Sequence, residues 1–217
     1  VLVLFAAFAG AAPVRAQSPE PGASPWAKHE FARVRLIAAT AAVGTLPELR
    51  LGLEFQLNPG WKTYWRSPGE AGLPVQVDWS ESENLADAAI AWPTPKRQVL
   101  LGIETMGYEG DLVLPVVAKP KVPGEPVKLR AAVDYLVCEK ICVPAHADLA
   151  LDLPAGEAVP TSLVGTIDQW RNKVPGDGRA SGLTVERAAL VRDPGGATLA
   201  VRLAAREPLR QPDVLVE

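Results

Sequence analysis

The chain has 217 residues, enough for one sizeable domain or two small ones, and a hydrophobic content of 48% that excludes a disordered protein. Its net charge of -3 provides no basic field, so nucleic acid is excluded as a partner. No hydrolase motif or phosphate-binding glycine loop occurs in it.

The N-terminal residues resemble an export signal. Residues 1–12 form an apolar run that is too short to span a bilayer, and Val14-Arg15-Ala16 fits a small-residue cleavage site. We therefore expect a truncated signal peptide over residues 1–16 and a linker, rich in Pro, Gly and Ser, over residues 17–30. Export to the periplasm would place the protein in an oxidising compartment.

Alternation of apolar and polar residues dominates the next part of the chain. It predicts strands near residues 33–38, 48–57, 128–137 and 143–153, and shorter segments between turn residues predict further strands near 75–79, 89–93 and 111–118. Residues 61–74, which combine aromatic residues with Gly and Pro, are predicted as an ordered loop. Residues 98–108 fit no period because two glycines interrupt them. About eight short strands separated by turns indicate an all-β protein with an antiparallel β-sandwich over residues 31–154.

The remaining residues predict a connection followed by further strands. Residues 155–180 read as a linker with a short helix, because Leu163, Ile167 and Trp170 are spaced at 4 and 3. Three strand-like segments follow in residues 181–217. Since three strands cannot close a sandwich, we expect there the incomplete start of a second β-sandwich domain.

Both cysteines of the chain lie in one predicted hairpin. Cys138 and Cys142 are separated by three residues, between two runs in which the odd-numbered residues are apolar. Their even numbers place both on the more polar face, within reach of a disulfide. Two exported thiols this close are expected to oxidise to each other. From spacing and parity alone, a redox-active pair and a purely structural disulfide are equally compatible with the sequence.

Two other groups of residues suggest binding. His146 follows Cys142 by four residues on the same predicted face, so the two thiols and the imidazole could hold Cu(I); the simpler interpretation is a solvated histidine. The aromatic residues Trp61, Tyr64 and Trp65, with Arg66, could form a partner-binding platform, although such residues more often fill a core.

Several segments together resemble a known family. They are Gly60-Trp-Lys-Thr-Tyr-Trp-Arg-Ser-Pro-Gly-Glu-Ala-Gly-Leu-Pro74, Trp92-Pro-Thr-Pro, Gly107-Tyr-Glu-Gly110 with Val113-Leu-Pro-Val, and Tyr135-Leu-Val-Cys-Glu-Lys-Ile-Cys-Val-Pro144. The chain is similar in these segments to the N-terminal periplasmic domain of the thiol:disulfide interchange reductases of the DsbD type, in the branch called suppressor of copper sensitivity protein B. Three residues separate the cysteines, where the better-known DsbD pattern has five.

The resemblance implies an immunoglobulin-like sandwich that acts as a protein-disulfide reductase component. Cys138 and Cys142 would be its redox pair, with no cofactor beyond that disulfide, and Cys142 the attacking thiol. Electrons would come from a membrane-embedded domain of the same polypeptide and pass to periplasmic thioredoxin-fold partners. By the same resemblance Tyr64 lies near the pair, and Leu100 or Leu101 replaces the aromatic residue of a cap loop.

Charge near the pair could tune its reactivity. Lys140, within the loop, and His146, beyond it, could each lower the pKa of a thiol.

Overall fold

A computed structural model describes residues 20–100, 102–194, 196–210 and 212–215 of the chain. Within these residues the strands before residue 154 are β1 (Ala27–Lys28), β2 (Ala32–Ala38), β3 (Leu49–Leu57), β4 (Lys62–Gly69), β5 (Gln76–Asp78), β6 (Leu85–Ile90), β7 (Lys96–Leu100), β8 (Ile103–Glu109), β9 (Asp111–Pro120), β10 (Val127–Cys138) and β11 (Cys142–Leu153). A helix, α1 (Val164–Arg171), and two more strands, β12 (Leu183–Asp193) and β13 (Gly196–Ala205), follow.

The signal peptide expected over residues 1–16 lies outside the described residues. No helix in the described ranges is long and apolar enough to cross a membrane.

Two antiparallel sheets enclose the core. The first sheet has the order β1-β2-β3-β9-β6, and the second has the order β11-β10-β4-β8-β7, with β5 paired to β10. Side chains from both inner faces meet between the sheets; Phe55 of β3, for example, contacts the ring of Tyr135 of β10 edge-on. This confirms the predicted all-β class and the immunoglobulin-like antiparallel β-sandwich.

Strand alternation accounts for the longest elements. In β10 every odd-numbered residue is buried against the other sheet, whereas Lys128 and Asp134 face solvent. The same pattern continues along β11, where Ala145, Ala147 and Leu149 are buried between exposed neighbours. A period of two is what one buried face requires, which is why these strands were predictable.

The loop predicted over residues 61–74 is wrong in its first half, where β4 lies. Thr63 and Trp65 point into the core, and Tyr64 is paired with Gly107 of β8. The Pro and Gly residues that suggested a loop fall at the end of β4, after an irregularity between Tyr64 and Gly69. The prediction that these aromatic residues fill the core is correct for Trp61 and Trp65, whereas Tyr64 is buried outside the core cluster.

Both segments predicted as linkers pack on the sandwich in their described parts. Residues 20–30 contain β1, which pairs with β2, and Ala23 is buried. In residues 155–180, Leu163 and Ile167 of the helical segment pack against Ile37 and Val113 on the outer face of the first sheet. Apolar side chains left on that outer face need a cover, which explains why these segments are not free.

Residues 183–205 form a separate two-stranded hairpin of β12 and β13. Most of its residues are exposed, and residues 212–215, predicted as part of a third strand, have no strand structure. The second β domain therefore stays a prediction.

Replacing Ile167 by Ala is expected to lower the free energy of unfolding by about 2–5 kcal/mol, because its fully buried side chain attaches α1 to the sandwich. Chemical denaturation would measure the change. Gln169→Ala, at an exposed position of the same helix, is the control and is expected to change it by less than about 0.5 kcal/mol. Equal denaturation midpoints for both variants would contradict the packing role of the helix.

Candidate redox site

The strand pair β10–β11 places the two cysteines directly opposite each other. Its register runs without interruption from Val127 paired with Leu153 to Cys138 paired with Cys142. The two sulfurs form a disulfide, and the Cα atoms are 4.1 Å apart. Three residues connect the strands, with the Glu139 amide donating a hydrogen bond to the Ile141 carbonyl. The disulfide therefore closes the tip of the hairpin.

The two sulfur-bearing residues differ in exposure. Cys142 is exposed, as parity predicted, but Cys138 is fully buried at 0% relative exposure, so the expected polar setting is wrong for Cys138. At this end of the sheet β4 begins beside Cys138, and its paired residue Lys62 is also buried. A reagent in solution can therefore reach Cys142 and not Cys138.

Tyr64 lies against the exposed sulfur. Its hydroxyl oxygen is 3.6 Å from Cys142 Sγ. Because a disulfide sulfur carries no hydrogen, the hydroxyl must be the donor of this weak bond. The ring is buried, and this desolvation raises the pKa of the Tyr64 hydroxyl, so the group stays protonated and able to donate. The predicted neighbourhood of Tyr64 and the cysteine pair is present in the structure.

Residues following β4 hold the Tyr64 ring in place. Pro74 forms an isolated bridge with Tyr64, and Gly72 has a φ of +108°. A Cβ atom on Gly72 would lie 2.4 Å from two ring carbons of Tyr64. Only glycine fits this close approach, so residue 72 is part of the site although no sequence motif indicated it.

An apolar groove adjoins the disulfide on the same face. Leu73 and Pro74 form one wall, and Leu136 and Pro144 line it from β10 and β11. Leu73 is 61% exposed, and Ile141, next to Cys142, is 64% exposed. Large apolar side chains this exposed are characteristic of contact surfaces.

The other predicted site residues are spread along the second sheet. Lys140 is exposed at the middle of the hairpin loop. Leu100 is the last residue of β7, paired with Ile103 of β8, and Leu101 lies outside the described residues. The cap function of this region stays a prediction.

His146 is bound by carboxylates away from the cysteines. Its Nδ1 is 2.7 Å from Asp134 Oδ1, and its Nε2 is 3.2 Å from Asp148 Oδ1. Four strand residues, or roughly 13 Å, separate it from Cys142. No three His, Cys, Asp or Glu side chains in the described part of the chain are arranged to hold a metal ion. The Cu(I) set of Cys138, Cys142 and His146 does not converge in this structure.

Sequence reasoning missed Lys62. It is the Cα partner of Cys138 and is buried, with 6% relative exposure. The reason is that residues 61–74 were predicted as a loop. A strand prediction for this segment would have placed Lys62 and Tyr64 on the same face of the sheet.

Gly72→Ala is expected to destabilise the protein by more than Gly110→Ala. Both glycines have a positive φ, which costs an alanine about 1–2 kcal/mol, but only residue 72 would also push against the Tyr64 ring, since a Cβ on Gly110 meets nothing within 4 Å. Denaturation of both variants would measure the difference. Equal losses would show that Gly72 does not hold the ring.

The pKa of His146 is raised by its hydrogen bonds, first to Asp134 and then to Asp148. A raised folded-state pKa gives stability that is fully present below the unfolded value near 6.5 and is lost as the pH rises through the folded value. Asp134→Asn is therefore expected to lower the pKa of His146 more than Asp148→Asn does, and to destabilise the protein at pH 6 more than at pH 8.5. An NMR titration of the imidazole and denaturation at both pH values would check this; unchanged titration curves would contradict it.

The sequence matches the family described as "Thiol:disulfide interchange protein DsbD, N-terminal" over residues 33–154. The crystal structure of the N-terminal periplasmic domain of ScsB from Proteus mirabilis is similar in fold: the TM-score is 0.59 and the identity 24%, over 86% of each chain.

The reduced N-terminal domain of DsbD from Neisseria meningitidis also matches, with a TM-score of 0.33 and 16% identity over 59% of this chain and 90% of that one. No curated protein sequence matches the chain. The family match covers more than half of the chain and contains the disulfide, Tyr64 and the groove. The chain belongs to the family of N-terminal domains of the thiol:disulfide interchange protein DsbD.

Proposed function

We propose that this domain is the periplasmic component of a protein-disulfide reductase, which relays electrons by thiol-disulfide exchange at Cys138 and Cys142. The observation that carries the proposal is the unequal exposure of the two cysteines, with Cys142 open to solvent and Cys138 buried. Exchange requires one sulfur that a partner can reach and a second that can resolve the mixed disulfide within the same domain.

The exchange can be written with its electrons balanced. An incoming thiolate attacks Cys142 Sγ, the bond between the two sulfurs breaks, and its electron pair goes to Cys138, which leaves as a thiolate. A second thiol of the donor then releases the domain with both cysteines reduced. In the delivery step, the Cys142 thiolate attacks the disulfide of an oxidised partner, and Cys138 resolves the mixed disulfide.

A purely structural role is less well supported. The disulfide closes a loop of three residues at the tip of a hairpin whose register is already fixed by continuous pairing. Because the stabilisation by a disulfide grows with the length of the loop it closes, this one contributes little to stability.

Tyr64 supports exchange more directly. In the reduced domain its hydroxyl could donate a hydrogen bond to the Cys142 thiolate and lower the pKa of that thiol. A purely structural disulfide would gain nothing from a hydrogen-bond donor to the Cys142 thiolate.

The apolar surface beside Cys142 is suited to a protein partner. A mixed disulfide brings the two Cα atoms to within about 4.4–6.8 Å, so residues adjoining Cys142 must contact whatever protein it joins. Ile141 and the groove wall at Leu73 would then be covered. We propose thioredoxin-fold proteins of the periplasm as the partners that receive electrons, and a membrane-embedded domain of the same polypeptide as the donor. The family match and the periplasmic location of the ScsB domain support this assignment.

Single cysteine variants test the exchange. Cys138→Ala leaves the exposed Cys142, which is expected to form a stable mixed disulfide with a thioredoxin-fold protein. Cys142→Ala leaves the buried Cys138, which is expected to react with the disulfide reagent DTNB at least about tenfold more slowly, since local opening that costs about 1.4 kcal/mol reduces the reactive population by that factor. Thiol reaction rates and gel analysis of the trapped species would measure both.

The reduction potential of the wild-type domain is a second, independent test of the exchange function. Exchanging disulfides lie above about -300 mV, whereas structural ones typically lie below it. A potential below that value, together with no trapped partner for Cys138→Ala, would overturn the proposed function.

A further inference from the structure

Lys62 occupies an unusual position for a lysine. Among the described residues it is the only Lys, Arg, His, Asp or Glu whose side chain is buried, with 6% relative exposure. Lysine is almost never this buried unless its charge is paired. Residues paired across adjacent strands share a face and have Cβ atoms about 4.5–5.5 Å apart. The Lys62 side chain therefore starts beside Cys138, on the face that carries the disulfide.

The ammonium of Lys62 has no ion pair within the described part of the chain, although two carboxylates lie nearby. Glu109 is its paired residue on β8 and is exposed. Glu139 is in the hairpin loop, and its carboxylate lies next to Gly60. The other charged or titratable groups at this end of the sheet are Lys140, which is exposed, and the Tyr64 hydroxyl, which contacts Cys142. The oxidised domain therefore holds a lysine that is largely covered and has no ion pair beside a neutral disulfide.

Opening the disulfide would create the missing anion. Cys138 is the buried member of the pair, so the thiolate that leaves when Cys142 is attacked forms away from solvent. Burial alone disfavours a thiolate and makes it a poor leaving group, whereas a neighbouring cation favours it. A leaving thiol with a lower pKa leaves faster.

We propose that Lys62 is a positioning residue of the exchange reaction, which stabilises the Cys138 thiolate when the disulfide opens. This inference rests on the proposed exchange function and assigns a role to a residue outside the cysteine pair. The electron pair of the broken bond stays on Cys138, and Lys62 supplies the countercharge without transferring a proton. In the reduced domain, the same charge keeps Cys138 ready to resolve a mixed disulfide.

The test compares lysine variants in the Cys142→Ala background of the full chain, where Cys138 is the only thiol. Lys62→Met is expected to raise the pKa of Cys138 by about 1 unit or more, which is the lower end of the effect of an adjacent opposite charge. Thiolate absorbance at 240 nm as a function of pH would measure it. Lys62→Arg should restore a low pKa, and Lys121→Met, which removes an equal charge at an exposed position in the turn before β10, should leave it unchanged.

With both cysteines present, Lys62→Met is also expected to slow opening of the disulfide by glutathione, while Lys121→Met does not. An unchanged Cys138 pKa and an unchanged opening rate in Lys62→Met would overturn the role of Lys62. They would leave the exchange function intact if Cys138→Ala still traps a partner.

A measurement without substitution keeps the inference testable if Lys62→Met does not fold. By linkage, a thiolate that is stabilised by Lys62 must raise the pKa of the Lys62 ammonium. The pKa of that ammonium, followed by NMR, is therefore expected to be higher in the reduced wild-type domain than in the oxidised one. Equal values in the two redox states would overturn the inference.

Discussion

The uninterrupted pairing of β10 with β11 is the constraint on which the rest of the site depends. Twelve residue pairs fix the register, and the last of them sets Cys138 against Cys142. A slip of one residue would turn every apolar side chain of the two strands away from the core, so burial of the sandwich also enforces the position of the disulfide. Fold stability and site geometry are therefore linked through the same ladder.

The strand β4 gives the two ends of the disulfide different surroundings. It begins with Lys62 beside Cys138 and then brings the Tyr64 hydroxyl to Cys142. Cys138 is thus paired with a lysine that is largely covered, whereas the Cys142 sulfur lies next to a hydrogen-bond donor. This difference suits an exchange reaction, in which one sulfur is attacked and the other departs.

Local pattern was sufficient where a segment has one buried face. The alternation in β2, β3, β10 and β11 predicted those strands, because a half-buried strand must repeat every two residues. Pattern failed where composition resembled a turn but tertiary pairing prevailed, as in β4. It also failed where a segment rich in Pro and Gly packs on another element, as residues 20–30 do on β2.

The sequence by itself determined the fold class and the cysteine hairpin, because periodicity and spacing are properties of the chain, and its segments carried the resemblance to the DsbD family. Only the tertiary structure decided which cysteine is exposed, since the strand that pairs with Cys138 lies more than sixty residues earlier. It also showed that His146 is held by carboxylates away from the disulfide and that Lys62 lies beside it. Contacts between segments distant in sequence leave no periodic pattern in the sequence, so these features could be seen only in the tertiary structure.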